Sequence, residues 1–189
     1  MKTSRYGRIL TMTVMVLALA SLSCKEAGND PSPVELVASL EQETHVLDFS
    51  DDDCGSLGTV TFTSIIKRPS STIDQRFLDI RLDRYRVSYQ RTDGGTLVPA
   101  PFVRSLSLFL PAGEDSEFTS FLAFEPGMQN QAPFVALLPS NGGRDPETGQ
   151  PVVKMDVVFD FFGETLSGED VAARARMPIT FCVSCGGCV

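Results

Sequence analysis

Tryptophan is absent from the chain, histidine occurs once and tyrosine three times. The missing indole leaves no obvious aromatic platform for carbohydrate, and it leaves phenylalanine, present 13 times, to fill a core. With His45 as the single imidazole, a histidine-dependent nucleophile site would have to be built on that residue alone. No Gly-x-Ser-x-Gly elbow accompanies it. Basic residues are scarce too, 16 Lys and Arg against 24 Asp and Glu. So acidic a chain lacks the positive footprint that nucleic acid or an anionic membrane surface requires. No segment recurs at a fixed period, which argues against tandem modules.

The scarce positive charge is unevenly placed. Lys2, Arg5 and Arg8 precede an apolar run from Ile9 to Ala20, broken only by Thr11 and Thr13. A basic start, a short apolar stretch and small residues before a cut site are the marks of a secretory signal. The run falls short of the ~20 residues that cross a bilayer as a helix. Ala20-Ser21-Leu22-Ser23-Cys24 resembles a lipobox, although Ser21 stands where leucine is usual. The resemblance implies cleavage before Cys24, a diacylglyceryl and an N-acyl chain (palmitate-type lipidation) on that cysteine, and multi-chain anchoring. Lys25 after the cysteine implies the outer membrane, on its periplasmic face or at the cell surface. Loss of residues 1–23 removes three basic and no acidic side chains, which takes the net charge from −8 to about −11.

The remaining 166 residues suit one domain. Residues 24–44 are expected to form the lipidated tether, with Lys25 to Pro33 rich in Gly, Asn, Asp, Ser and Pro. Ser32-Pro33-Val34-Glu35 fits a capping box opening a short helix, but Val34 to Leu40 reads equally as a first strand or irregular chain. From there the period is two. Thr59 to Lys67 is rich in β-branched residues, and Phe77 to Arg91 alternates with a change of phase: Leu78, Ile80 and Leu82 are even, Tyr85, Val87 and Tyr89 odd. Such a switch requires a bulge or a crossing between sheets. Asp93-Gly94-Gly95 makes a turn, Leu106, Leu108 and Leu110 alternate, and Phe134 to Leu138 suits a short buried strand. After a long loop from Pro139 to Pro151, two alternating stretches, Val153 to Phe161 and Val171 to Phe181, are joined through Gly163 to Gly168. They predict a half-buried antiparallel hairpin with acids facing arginines across the strands. About seven such strands over residues 45–182 predict an all-β, immunoglobulin- or fibronectin-like sandwich, with a small β-barrel as the alternative.

The stretches Leu82-Asp83-Arg84-Tyr85-Arg86-Val87-Ser88-Tyr89, Arg91-Thr92-Asp93-Gly94, Pro99-Ala100-Pro101-Phe102 and the closing hairpin resemble a group of bacterial lipoproteins. The likeness runs from about Thr59 to Phe181. It implies an immunoglobulin-like mature domain of unassigned function and carries no activity with it.

Four cysteines remain beside Cys24: Cys54, Cys182, Cys185 and Cys188, the last three in the tail 183–189 and the strand end before it. An even number in an exported chain favours disulfides. Of three connectivities, Cys54 with Cys182 and Cys185 with Cys188 is expected, closing a loop worth about 4–5 kcal/mol by the entropic model. The alternative is a thiolate site for zinc or another thiophilic ion, or a redox C-x-x-C. No resident cofactor is expected. Asp48-Phe49-Ser50-Asp51-Asp52-Asp53 is the densest acidic run but lacks the spacing of a calcium loop, as do Asp145 and Glu147. Arg174 and Arg176 read as surface charge, and Tyr85 and Tyr89 as core residues or a tyrosine corner. The function expected is that of a non-enzymatic, lipid-anchored envelope module that binds or scaffolds an envelope protein. The second reading is a thiolate metal-binding or redox protein using the C-terminal cysteines with Cys54.

Overall fold

The structure, a computed structural model, describes residues 32–50, 58–67 and 74–186. Among them are eight strands and no α-helix: β1 Val34–Leu40, β2 His45–Asp48, β3 Thr59–Ile66, β4 Ile80–Arg91, β5 Phe102–Leu110, β6 Asp115–Thr119, β7 Val153–Thr165 and β8 Asp170–Cys182. The all-β expectation holds. One sheet has the order β1-β3-β6 and the other β2-β8-β7-β4-β5, the larger curling like half a barrel. Every pairing is antiparallel except β2 on β8, which is parallel.

Alternation decides which side chains are buried. On β7, Val153, Met155, Val157, Phe159 and Phe161 are fully enclosed, and on β8 so, nearly, are Val171, Ala173, Ala175, Met177, Ile179 and Phe181. Phe62 of the smaller sheet meets Phe161 edge-on with ring centroids 4.8 Å apart, and Phe121 meets Phe159 in the same way at 5.1 Å. The two sheets therefore share one phenylalanine-rich core, and each such ring contributes roughly 1.5–3 kcal/mol of burial.

The phase change in β4 is a bulge. Leu82 pairs with Leu108 and Gly163, the register then skips Asp83, and Arg84 pairs with Ser105 and Phe162. The extra residue turns Tyr85 and Val87 inward after Leu82, so one strand keeps both apolar phases in the core. Gly163 is the residue that lets β7 pass this point. A Cβ there would stand 2.3 Å from the Arg81 carbonyl oxygen and 2.8 Å from the Leu82 Cα.

Three expectations are corrected. Phe134–Leu137 is a 3₁₀ helix, not a strand. A continuous apolar run does not fix its own period, and here Phe134 and Leu137, one 3₁₀ turn apart, are the buried pair. The domain begins before residue 45, because Val34–Leu40 pairs with β3 along its whole length and Val34 is fully buried. The capping-box geometry gives way to that pairing, and Ser32 Oγ accepts the Val34 N–H instead (3.2 Å). At the other boundary, Ser184 and Cys185 are bonded to the domain (below), so residues 183–186 are not a free tail.

Strand direction gives the fold two distinct ends. Val34, Ile66, Ile80, Leu110, Thr165 and Asp170 lie at the end where the described chain starts. The Lys67 N–H donates to the Pro33 carbonyl (2.9 Å) and the Ser64 N–H to the Glu114 carbonyl (3.3 Å), tying the β5–β6 turn to β3 there. Leu40, Asp48, Arg91, Phe102, Val153 and Cys182 lie at the opposite, distal end.

Candidate functional site

The distal end carries the most constrained polar cluster among the described residues. Arg91 continues the inward phase of Tyr85, Val87 and Tyr89, and its side chain is only 2% exposed. Its Nε donates to Asp93 Oδ1 (2.7 Å), and its Nη2 to Asp93 Oδ2 (3.0 Å) and Asp145 Oδ2 (2.7 Å). Its Nη1 donates to the Leu97 carbonyl (3.3 Å) and lies 3.6 Å from Glu147 Oε2. Each carboxylate also takes backbone donors: Asp93 from Gly95 and Lys154, Asp145 from Thr148, Glu147 from Thr96 and Leu97. One guanidinium thus joins the loop after β4 to the long loop before β7. Burial by itself would lower the Arg91 pKa, but the hydrogen bonds to Asp93 and Asp145 outweigh it and raise it. Burial would likewise raise Asp93 and Asp145, and the bonds from Arg91 bring both below the ordinary carboxylate value. Asp145 is fully buried, and its Oδ1 has no hydrogen-bond partner among the described residues.

Gly95 crosses the face of this guanidinium so closely that a Cβ would stand 2.4 Å from Arg91 Cζ. The loop so held presents Leu97 and Val98, 42% and 38% exposed. Chemically the cluster holds shape: its carboxylates are turned onto a fixed cation and backbone N–H groups, and what it offers outward is a rigid, partly apolar loop.

The cysteine-bearing tail sits at the same end. Cys182, buried at the end of β8, is bonded to Cys185, with Cα atoms 6.1 Å apart. The expected partner Cys54 lies outside the described residues, as do Cys24, Cys188 and Asp51 to Asp53. The chain turns back at once through Ser184 (φ 55°) and Gly186 (φ 109°), so the local partner is reached before any remote one. Asp48, the first acid of the dense run, is 2% exposed. It accepts the N–H groups of Ser50 (2.9 Å), Ser184 (2.8 Å) and Cys185 (2.7 Å) and the Ser50 hydroxyl (2.7 Å). It is a clamp for the turn, and the Phe49 N–H closes the join by donating to the Cys182 carbonyl (2.9 Å). Beneath it Phe49, Phe124, Phe134 and Phe181 pack into one aromatic cluster.

The other sequence candidates are dispersed. His45 is buried, its Nδ1 is 3.2 Å from Gln42 Oε1, and desolvation lowers its pKa, which leaves it a neutral core imidazole. Arg174 and Arg86 share Asp160 (2.6 and 2.7 Å), and Arg176 pairs with Asp156, on the outer face of the larger sheet as the sequence predicts. Tyr85 accepts the Leu122 N–H (3.2 Å) and Tyr89 donates to the Ala123 carbonyl (2.8 Å), pinning the segment after β6. A polar groove of about 330 Å³ on the smaller sheet is lined by Ser39, Leu40, Glu41, Thr59, Thr61 and Glu117, with no aromatic side chain. Among the described residues no group of three His, Cys, Asp or Glu side chains is placed to hold a metal.

The sequence reading missed Arg91. Its signal was available: an arginine at the apolar parity of a strand, just before an otherwise turn-like Asp-Gly-Gly segment. Asp145 and Glu147, weighed there as cation ligands, in fact surround that arginine.

No protein-family model matches the chain, and no curated protein matches it. Among solved structures it is similar to Spo0M, a sporulation control protein from Bacillus subtilis. The identity is 15% over 78% of this chain, the TM-score is 0.29, and the match spans about half of that protein (49%). So low a score carries no argument about fold or role, and nothing in the comparisons points to a catalytic activity.

Proposed function

We propose that the chain is an exported lipoprotein, held on the outer membrane by lipid on Cys24, whose immunoglobulin-like sandwich binds or scaffolds another envelope component through its distal loops. The observation that carries this is the buried Arg91 cluster. Fixing two loops to one geometry removes ordering cost before a partner arrives, which is how a recognition surface gains affinity without added area. The strand order supports the immunoglobulin-like reading: the first, third and sixth strands form one sheet, and the second, eighth, seventh, fourth and fifth the other. That order matches the A-B-E and G-F-C arrangement of such domains, with one added strand beside G and another beside C. The segment from 120 to 152, with its 3₁₀ turns, joins the sixth strand to the seventh, and among the described residues no strand takes the place of D between the fifth and the sixth.

Labelled palmitate supplied to an expressing bacterium tests the anchor: label should enter the chain and be lost in Cys24→Ala. A photo-crosslinker at Leu97 tests the surface. A discrete adduct in intact cells, abolished by Arg91→Met and not formed from Glu35 near the opposite end, is the expected result. Equal adducts from both positions would refute a distal recognition surface.

A further inference from the structure

We propose that the end opposite these loops is a membrane-contacting tip, in which Phe77 and Leu166 enter the interface of the bilayer that holds the lipid on Cys24. The inference rests on the anchor reading above and adds an orientation to it.

Two large apolar side chains stand exposed there, Phe77 at 56% and Leu166 at 51%. They are not on loose chain. The Leu166 N–H donates to the Asp79 carbonyl (2.8 Å), and both the Ser167 N–H and its hydroxyl donate to the Phe77 carbonyl (3.0 Å each). The 3₁₀ turn Gln75–Leu78 and the β7–β8 turn are therefore one unit. Asp79 extends it by accepting the Ala112 N–H from the β5–β6 turn (2.9 Å), and Phe109, 53% exposed, lies just behind. A hairpin turn favours Gly, Asn, Asp or Ser, so a rigidly presented leucine at its tip calls for a surface that receives it.

The tether selects that surface. The described chain begins at Ser32, beside the start of β1 and at this same end. From Cys24 to Ser32 the chain can span at most about 28 Å, so Ser32 stays within that distance of the lipid. The tip is thereby held at an effective concentration of order millimolar against the lipid, where even weak apolar insertion is populated. Three of the acids around it are paired within the fold: Asp74 with Arg76 (2.7 Å), Glu164 with Arg81 (2.6 Å), and Glu169 with the hydroxyls of Thr165 and Ser167. Glu35, Glu114, Asp115 and Asp170 remain exposed nearby, which favours zwitterionic over anionic headgroups.

Because the chain has no tryptophan, Phe77→Trp supplies a single reporter and Leu97→Trp a distal control. Each full-length variant, purified from bacterial membranes, is placed in phosphatidylcholine vesicles with brominated acyl chains, its lipid checked by intact mass. The Phe77→Trp emission should shift to the blue and be largely lost to bromine quenching, while Leu97→Trp should do neither. Floating, lipidated Phe77→Trp protein whose indole emission stays unquenched overturns the proposal, and so does equal quenching of both reporters. A blue shift without quenching also overturns it, since the tip is then covered by protein, a second copy or another partner. If mass shows no lipid, the anchor reading fails separately. The soluble variant titrated with the same vesicles at millimolar lipid then decides the tip: quenching of Phe77→Trp supports it and none overturns it.

Discussion

Replacing Arg91 by methionine keeps most of the side-chain volume and removes the charge. In the native chain the 2%-exposed guanidinium faces Asp145 at 0% and Asp93 at 11% side-chain exposure. Without it, Asp145 keeps only the Thr148 N–H and hydroxyl on Oδ2, and nothing among the described residues on Oδ1. Asp93 keeps the Gly95 and Lys154 N–H groups. Removing one partner of a buried pair costs about 3–5 kcal/mol, most of it from the stranded charge. Glu147, at 31% exposure and with three other donors from Thr96 and Leu97, adds little. Equilibrium urea unfolding measures this directly. At a slope of about 2 kcal/mol per molar, the midpoint should fall by roughly 2 M. Arg91→Lys should recover only part of the loss, because an ammonium cannot span Asp93 and Asp145 with the planar fork. A cost below about 1 kcal/mol for Arg91→Met would put the cluster in the range of exposed ion pairs and refute the picture of a dry staple.

Gly163→Ala should destabilise by more than about 3 kcal/mol or prevent folding, beyond the usual 1–3 kcal/mol of overpacking, because its Cβ would meet the Arg81 and Leu82 backbone. Gly94→Ala, strained by its φ of 92° but with open space around it, should cost only about 1–2 kcal/mol, and thermal melts of the two variants separate the cases. Stability should fall with pH in two stages. Burial puts the folded pKa of His45 below its ordinary 6.5, so the unfolded chain takes up the proton first and stability declines as pH drops through that value. Asp93, Asp145 and Asp160 lie below their ordinary 3.8 and Glu147 below 4.5, so a steeper loss begins near pH 4 and continues to the folded values. A urea midpoint that is flat from pH 7 down to 3 contradicts both assignments. For the cysteines, a non-reducing digest should find Cys182 joined to Cys185 within one peptide, and removing so small a ring should cost only about 2 kcal/mol. A cross-linked peptide carrying Cys54 and Cys182, or a loss of 4–5 kcal/mol on reduction, would reinstate the long-range bridge.

The strands were legible because period two survives in sequence wherever one face is buried, and β4 shows how far that goes. Leu82 followed by Tyr85 disclosed the bulge that both flanking ladders then display. The cross-strand acid–arginine pairs were legible for the same reason, Asp160 standing opposite Arg174. Where burial did not alternate, the reading failed. The run Phe134 to Leu138 carries no period, and a proline before it and another after it turned it into 3₁₀ structure. The distal cluster was hidden differently. Asp93 and Asp145 are 52 positions apart in sequence, and each looks like an ordinary turn acid until Arg91 is placed between them. The cysteine partner was beyond spacing arguments, because it depends on how the chain leaves β8.

The cluster at Arg91 could have been apolar, and that alternative separates fastening from positioning. Buried ion groups can often be replaced by well-packed hydrophobic residues at no cost or a gain of 1–4 kcal/mol, so stability alone does not call for one here. A guanidinium, however, holds its N–H donors in one plane at fixed angles. Here they reach Asp93, Asp145 and the Leu97 carbonyl together, which fixes the Leu97 loop in one pose that apolar contacts would let slide. Arg91→Met combined with Asp145→Leu removes the stranded charge and should regain most of the urea midpoint lost by Arg91→Met alone. If the directional bonds serve recognition, the Leu97 photo-adduct should stay lost in this stable double variant. Its return along with the stability would reduce the cluster to a fastening, and the distal surface would owe its shape to packing.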